Sequence, residues 1–201
     1  IKAHFDAPNN YAEIVVNEFN SEPFGDYISE QDKVILDIGA NIGLFALVVM
    51  PYAKSIVCVE PTESHMVVQK EMLKGYNVKH EESALNGYTG EASWRFEPVN
   101  TTMCTLDFLT TDVKVPCITL YDLCQKYDLK HVDLCKIDIE GSEFRALTVE
   151  TVQPVHSIID KFIIEVHPRN KESQDHFRAI FEQCGYKVSY FDFNGSVYCV
   201  R

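Results

Sequence analysis

A short apolar run, Val34-Ile35-Leu36, meets an acid and a glycine-bracketed turn, Asp37-Ile38-Gly39-Ala40-Asn41-Ile42-Gly43, then passes at once into Leu44-Phe45-Ala46-Leu47-Val48-Val49. The first run reads as a strand buried on both faces. The second reads as a helix from about Ile42 that ends before Pro51, because the residue ahead of a proline avoids helical geometry. Strand, turn and helix in this order form the first βα unit of a nucleotide-binding α/β sheet, where ligands sit beyond the carboxyl ends of the strands. Gly39 can take a backbone conformation closed to other residues and let a ligand approach the main chain. Gly43 lets helix and strand pack closely, and Asn41 is the candidate helix cap.

Glycine spacing separates two ligand classes. Dinucleotide folds use Gly-x-Gly-x-x-Gly, so that backbone amides and a helix N-terminus hold a pyrophosphate. Here the middle glycine is absent and Asp37 stands just before the turn. An acid suits a ligand carrying an ammonium and a sulfonium better than one carrying phosphates, and S-adenosylmethionine is such a ligand. Asp37, Gly39, Ala40, Asn41 and Gly43 are therefore the expected cofactor residues of this turn. The alternative is a purely structural βα turn.

The chain has 201 residues, 46% hydrophobic and 24% charged, which suits one compact core of an ordinary globular protein. Its formal charge of −12, from 18 basic and 30 acidic residues, argues against nucleic acid and anionic membranes as partners. No apolar run reaches the roughly 18 residues of a spanning helix. Seven cysteines without a C-x-x-C pair suggest a reducing, cytoplasmic setting and no zinc site. The expected division is an N-terminal helical or lid segment, 1–32, and a cofactor-binding domain, 33–201.

Along the chain, Ile14, Val15 and Phe19 suggest a short helix capped by Asn9 or Asn10, covering a pocket or shielding a sheet face. Ser55 to Val59 reads as the second strand, ended by Glu60-Pro61. Glu60 lies about twenty residues after the glycine turn, the spacing at which an acid meets ribose hydroxyls. A helix over 62–74, with Met66, Val67 and Leu73 inward and Gly75 as its cap, leads to a strand over 77–82. That strand ends at Ser83-Ala84, where adenine is expected. Tyr88-Thr89-Gly90 reads as a hairpin turn into a strand over 91–97. The polar loop 100–105 has no periodicity.

Further on, a strand over 115–118 precedes a helix capped by Thr119. Strands over 132–139 and 158–166 flank a turn, Glu140-Gly141-Ser142, and one helix carrying Phe144, Leu147 and Val149. A helix over 173–184 stops at Gly185. Asn194-Gly195 between two alternating runs is a strong hairpin signal. An antiparallel hairpin closing a βα series is the ending of a seven-stranded, mostly parallel methyltransferase sheet, α/β and Rossmann-like, with helices on both faces.

The stretches VILDIGANIG (34–43), VEP (59–61), SALNGYTGEASW (83–94), ITLYDLC (118–124), DLCKIDIEGSE (133–143) and IIEVH (163–167) together resemble the FkbM family of S-adenosylmethionine-dependent methyltransferases. The resemblance implies a class I methyltransferase fold and transfer of a methyl group, typically to an oxygen of a sugar or natural product, leaving S-adenosylhomocysteine. By position it also assigns Asp138 to the mouth between cofactor and acceptor.

Methyl transfer from a sulfonium has a good leaving group, so the protein must align the acceptor and remove its proton. Period-two alternation places Lys136, Asp138 and Glu140 on one side of their strand, and Glu165 with His167 on one side of theirs. Asp138 is expected at the sulfonium or amino group of the cofactor, with the acceptor hydroxyl as a further candidate. Glu140 and His167 are the general-base candidates, although His167 before a proline also fits a plain turn residue and Glu140 a helix cap. Lys136 can serve simply to neutralise the acids, and Glu143 to favour a helix dipole. Asp138, Glu140, Glu165 and His167 could together hold a divalent ion, but no spacing demands one and no metal is expected. The reading is a small-molecule O-methyltransferase acting on a neutral or cationic acceptor. N-methylation, a noncatalytic cofactor-binding module and, third, a nicotinamide enzyme are the alternatives.

Overall fold

A computed structural model describes residues 28–95, 105–106, 113–168, 170–190 and 195–201. The expected N-terminal helix with its Asn9 or Asn10 cap, the loop 100–104 and Asn194 lie outside the described residues.

Strands β1 (Val34–Ile38), β2 (Ser55–Val59), β3 (Val78–Glu81), β8 (Leu134–Ile137), β9 (Lys161–Glu165), β10 (Lys187–Tyr190) and β11 (Ser196–Val200) form one seven-stranded sheet, ordered β10-β11-β9-β8-β1-β2-β3. The pairs β9-β8, β8-β1, β1-β2 and β2-β3 are parallel, whereas β11 is antiparallel to both β9 and β10. This is the expected sheet with its terminal hairpin. A second sheet, ordered β4-β7-β5-β6, is built from β4 (Ala84–Leu85), β5 (Gly90–Arg95), β6 (Thr105–Leu106) and β7 (Lys114–Ile118).

Alternation divides the central strands between two cores. Leu36, Ile38, Val57, Val59, Cys135, Ile137, Phe162 and Ile164 face one side, while Ile35, Ile56, Cys58, Leu134 and Ile163 face the other. Both sets are buried, so these strands tolerate few polar residues until they end. On the first side lie α3 (Leu120–Lys126), α5 (Val149–Val152) and α6 (Lys171–Gln183), with Leu123, Val152, Phe177 and Phe181 inward. Phe162, Phe181 and Tyr186 pack edge to face there at 5.0–5.6 Å. On the second side lies α1 (Leu44–Val49), and Leu73, capping α2 (Glu63–Met72), joins it.

Five expectations are corrected, one being Gly75 as the cap of α2, whose C-cap is Leu73. Asn41 does not cap α1; the N-cap is Gly43, and Asn41 Oδ1 accepts the N–H of Ile42 instead. Val67 points outward and is 64% exposed, because α2 turns its neighbour Met66 into the core. The turn at Tyr88-Thr89-Gly90 does not join paired strands, since β7 lies between β4 and β5. The single helix expected after Ser142 is two short ones, α4 (Glu143–Ala146) and α5, broken where Leu147 turns extended.

Candidate active site

The parallel order β9-β8-β1-β2 brings four strand ends to one edge. Glu165 and His167 come from β9, Asp138 from β8, Asp37 from β1 and Glu60 from β2. This edge is the place where open α/β sheets bind ligands.

The turn after β1 is stitched to itself and to β2. The amides of Gly39 and Ala40 both donate to the Val59 carbonyl at 3.0 Å, and that of Asn41 to Glu60 Oε2 at 3.0 Å. Ile42 N–H donates to Asn41 Oδ1 and Gly43 N–H to the Ala40 carbonyl, each at 2.8 Å. Every amide from Gly39 to Gly43 is thus taken within the chain, and none is left as a cradle for phosphate. Gly39, at φ 72°, is obligatory for a reason other than ligand approach: a Cβ there would stand 1.7 Å from the Asp138 carbonyl oxygen. Gly43, at φ 90°, admits Leu73 and Gln69 of the α2 region rather than the strand.

Glu60 is buried, with Oε1 accepting from Thr62 N–H at 2.9 Å and from His65 Nδ1 at 3.3 Å. Burial pushes its carboxyl up, but the hydrogen bonds of His65 and Thr62 outweigh this and hold it below the ordinary glutamate value. Three of about four lone-pair sites are occupied, so a hydroxyl donor can still be accepted. Gln69, fully buried, donates to the Asn41 carbonyl at 2.8 Å and accepts from His80 Nδ1 at 2.7 Å. Glu60 and Gln69 therefore hold the N–H and the carbonyl of Asn41, whose φ of 49° is left-handed. Pro61 follows β2, while Ser83 and Ala84 are buried where the chain passes from β3 into the second sheet.

Lys136 lies beside Asp37 in the β1–β8 register. Its Nζ is 3.6 Å from Asp37 Oδ1, 3.6 Å from Asp138 Oδ2 and 3.1 Å from the Gly39 carbonyl that accepts its proton. Burial would lower the lysine, but Asp138 and Asp37 more than compensate and raise it. Asp37 is wholly inaccessible, and neither of its oxygens has a hydrogen-bond donor. Burial pushes it up to about 6 against the pull of Lys136. Asp138 Oδ1 also lacks a donor.

Beyond Asp138 the carboxylates gather on His167. Its Nε2 stands 3.6 Å from Glu140 Oε2 and 3.7 Å from Glu165 Oε1, and its Nδ1 lies 3.3 Å from Glu143 Oε1, within hydrogen-bond distance. Alternation foresaw Glu165 beside His167, but it does not explain Glu140. Strand β8 ends at Ile137, and a left-handed turn at Glu140, φ 53°, swings that carboxylate to the histidine. Burial lowers the His167 pKa, whereas Glu143 above all, with Glu140 and Asp138, raises it to a net value above the ordinary one. Ligand atoms of Asp138, Glu140 and His167 all lie within 4.8 Å of one another, close enough for one cation to touch all three.

Sequence reasoning missed Glu143, Gln69 and His65. Glu143 is fully buried, bonded to Ile139 N–H at 3.1 Å and to His167, so it is far more than a complement to a helix dipole. Its one signal was the three-residue spacing from Glu140 across a glycine turn.

A parallel sheet closed by a C-terminal antiparallel hairpin, with an acid-lined ligand edge, defines the class I methyltransferase fold. The FkbM methyltransferase domain model matches residues 37–188, and the chain belongs to that family of S-adenosylmethionine-dependent methyltransferases. Solved structures agree in fold. The chain resembles an S-adenosylmethionine-dependent methyltransferase of Leishmania major, with a TM-score of 0.54 at 15% identity over 96% of this chain and 74% of that one. It also resembles Aeropyrum pernix fibrillarin with natively bound S-adenosyl-L-methionine, at TM-score 0.54 and 10% identity over 94% and 74% of the two chains. Magnesium protoporphyrin IX methyltransferase from Synechocystis PCC 6803 gives 0.52 at 11% identity over 98% and 86%. No curated protein matches the sequence. Among the described residues no helix is long and apolar enough to cross a membrane.

Proposed function

We propose that the chain methylates a hydroxyl oxygen of a neutral or cationic small molecule. The observation that carries this reading is the convergence of Glu140, Glu165 and His167 beside Asp138 at the strand edge. An oxygen acceptor must lose a proton as it attacks, and a histidine ringed by carboxylates is suited to take it.

The residues of the glycine turn fit S-adenosylmethionine. The turn keeps no amide for phosphate, Asp37 and Asp138 hold carboxylate oxygens without donors, and Glu60 retains room for a ribose hydroxyl. When bound, the cofactor supplies an electrophilic methyl on a sulfonium. In the proposed roles, Asp138 meets its cationic groups, Asp37, shut off from solvent behind it, acts on them only through its charge, Lys136 prevents the two acids from repelling each other, and Ser83 with Ala84 borders the adenine. Glu140 and Glu165 orient the acceptor, and His167 Nε2 takes its proton. With the cofactor bound, its methyl carbon would accept the oxygen lone pair and its sulfur would keep the electrons of the broken carbon–sulfur bond.

The net charge of −12 supports an acceptor without phosphates. The same carboxylates suit an amine, so N-methylation is the second reading. Transfer of labelled methyl to panels of sugars, phenolic and macrolide-type alcohols, amines and RNA decides. Methyl ethers are expected, and preferential labelling of RNA would contradict the proposal. Excess chelator should leave turnover unchanged; its loss would assign Asp138, Glu140 and His167 to a metal.

A further inference from the structure

We infer that Glu143 is a positioning residue that fixes the tautomer of His167 and aims its Nε2 at the acceptor proton. This inference rests on the proposed role of His167 as base.

Glu143 opens α4 directly after the Ile139–Ser142 turn, and its side chain folds back across that turn. The Ile139 N–H holds Oε1 at 3.1 Å, which leaves the carboxylate little freedom. The residue is 0% exposed and its Oε2 has no hydrogen-bond donor. A buried carboxylate so poorly supplied with donors is costly unless it has a cationic or strongly donating neighbour. His167 Nδ1, 3.3 Å from Oε1, is that neighbour.

A neutral imidazole donates from one nitrogen and accepts at the other. With the Nδ1 proton committed to Glu143, the lone pair belongs to Nε2. That nitrogen faces Glu140, from the turn after β8, and Glu165, from its own strand. Asp138 also acts on the ring. Glu143, Glu140, Glu165 and Asp138 are all acids, so each favours the imidazolium formed on proton uptake. The proton passes from the acceptor hydroxyl to Nε2, while the Nδ1 proton stays in its bond to Glu143.

The test begins with nitrogen-15 NMR of the histidine side chains in the whole chain, His167 being assigned by the signal lost in His167→Gln. Above its titration, His167 should carry its proton on Nδ1, and Glu143→Gln should lower its pKa. An Nε2–H tautomer, or an unmoved titration in Glu143→Gln, would overturn the inference. If that variant does not fold, the wild-type tautomer alone decides. With the acceptor found by the methyl-transfer screen, Glu143→Gln should lower kcat more than it changes KM and move the ascending pH limb downward. His167→Ala should lose roughly 10²–10⁴-fold. Full activity in His167→Ala refutes the base itself; an inactive His167→Ala beside an unaltered Glu143→Gln profile refutes only the positioning. Melting with S-adenosylhomocysteine checks that each variant keeps its cofactor site.

Discussion

A carboxylate shut off from water with no donor on either oxygen weakens a fold at neutral pH, and Asp37 is such a group. Burial raises it from 3.8 to about 6, so the native state holds its proton more tightly than the unfolded chain does. Its contribution to stability is therefore complete below 3.8 and is lost as pH rises through about 6. Asp37→Asn should melt at or above wild type at pH 7.5, yet lose part of the stabilisation that S-adenosylhomocysteine confers, because a buried charge acts on the ligand without touching it. A clearly lower melting point with an undiminished ligand response would reverse both roles. His167 is likewise raised, from 6.5, by Glu143, Glu140 and Asp138 against the opposing effect of burial. Its proton stabilises the fold fully below 6.5, and that benefit disappears as pH climbs past the folded value. The melting difference between wild type and His167→Gln should accordingly be larger at pH 5.5 than at pH 8.5. A difference that does not vary with pH would refute the raised value.

At the level of elements, the crossing of the β1 turn with the chain leaving β8 is the tightest joint near the site. Gly39→Ala would place a Cβ 1.7 Å from the Asp138 carbonyl oxygen at a left-handed φ. It should cost about 3 kcal/mol or more, a melting fall of roughly 6–12 °C; a fall below about 2 °C would mean the joint yields easily. Removing the Thr119 side chain, which accepts from Asp122 N–H at 3.1 Å, should cost only about 1 kcal/mol. The same elements show what sequence makes legible. The limits of β2 and the caps at Thr119 and Gly185 follow from local chemistry: apolar alternation, a hydroxyl before a helix, a glycine at φ 92° after one. The partner of β5 does not, because β7 is separated from it by a long stretch of chain and intervenes between β4 and β5. Val67 was misassigned because it adjoins Met66, and one residue turns a helix by about 100°. Asp138, Glu165 and His167 were readable as charges ending apolar strands. Glu143 was hidden because a short helix after a left-handed turn has no periodicity to read.

Across the whole molecule, a sheet with two apolar faces leaves its carboxyl-end rim as a place where charge can collect. Among the described residues, charged or titratable groups that gather there include Asp37, Glu60, Lys136, Asp138, Glu140, Glu143, Glu165 and His167. Acids outnumber bases among them, which favours a cationic cofactor, and the saturated glycine turn disfavours a phosphate-bearing one. Thermal melting with S-adenosylhomocysteine and NAD in parallel measures this preference directly. At a hundredfold above its dissociation constant a ligand stabilises by about 2.7 kcal/mol, or roughly 5–10 °C for a chain of this size. Such a shift with S-adenosylhomocysteine and none with NAD is the predicted result; a shift with NAD alone would contradict it.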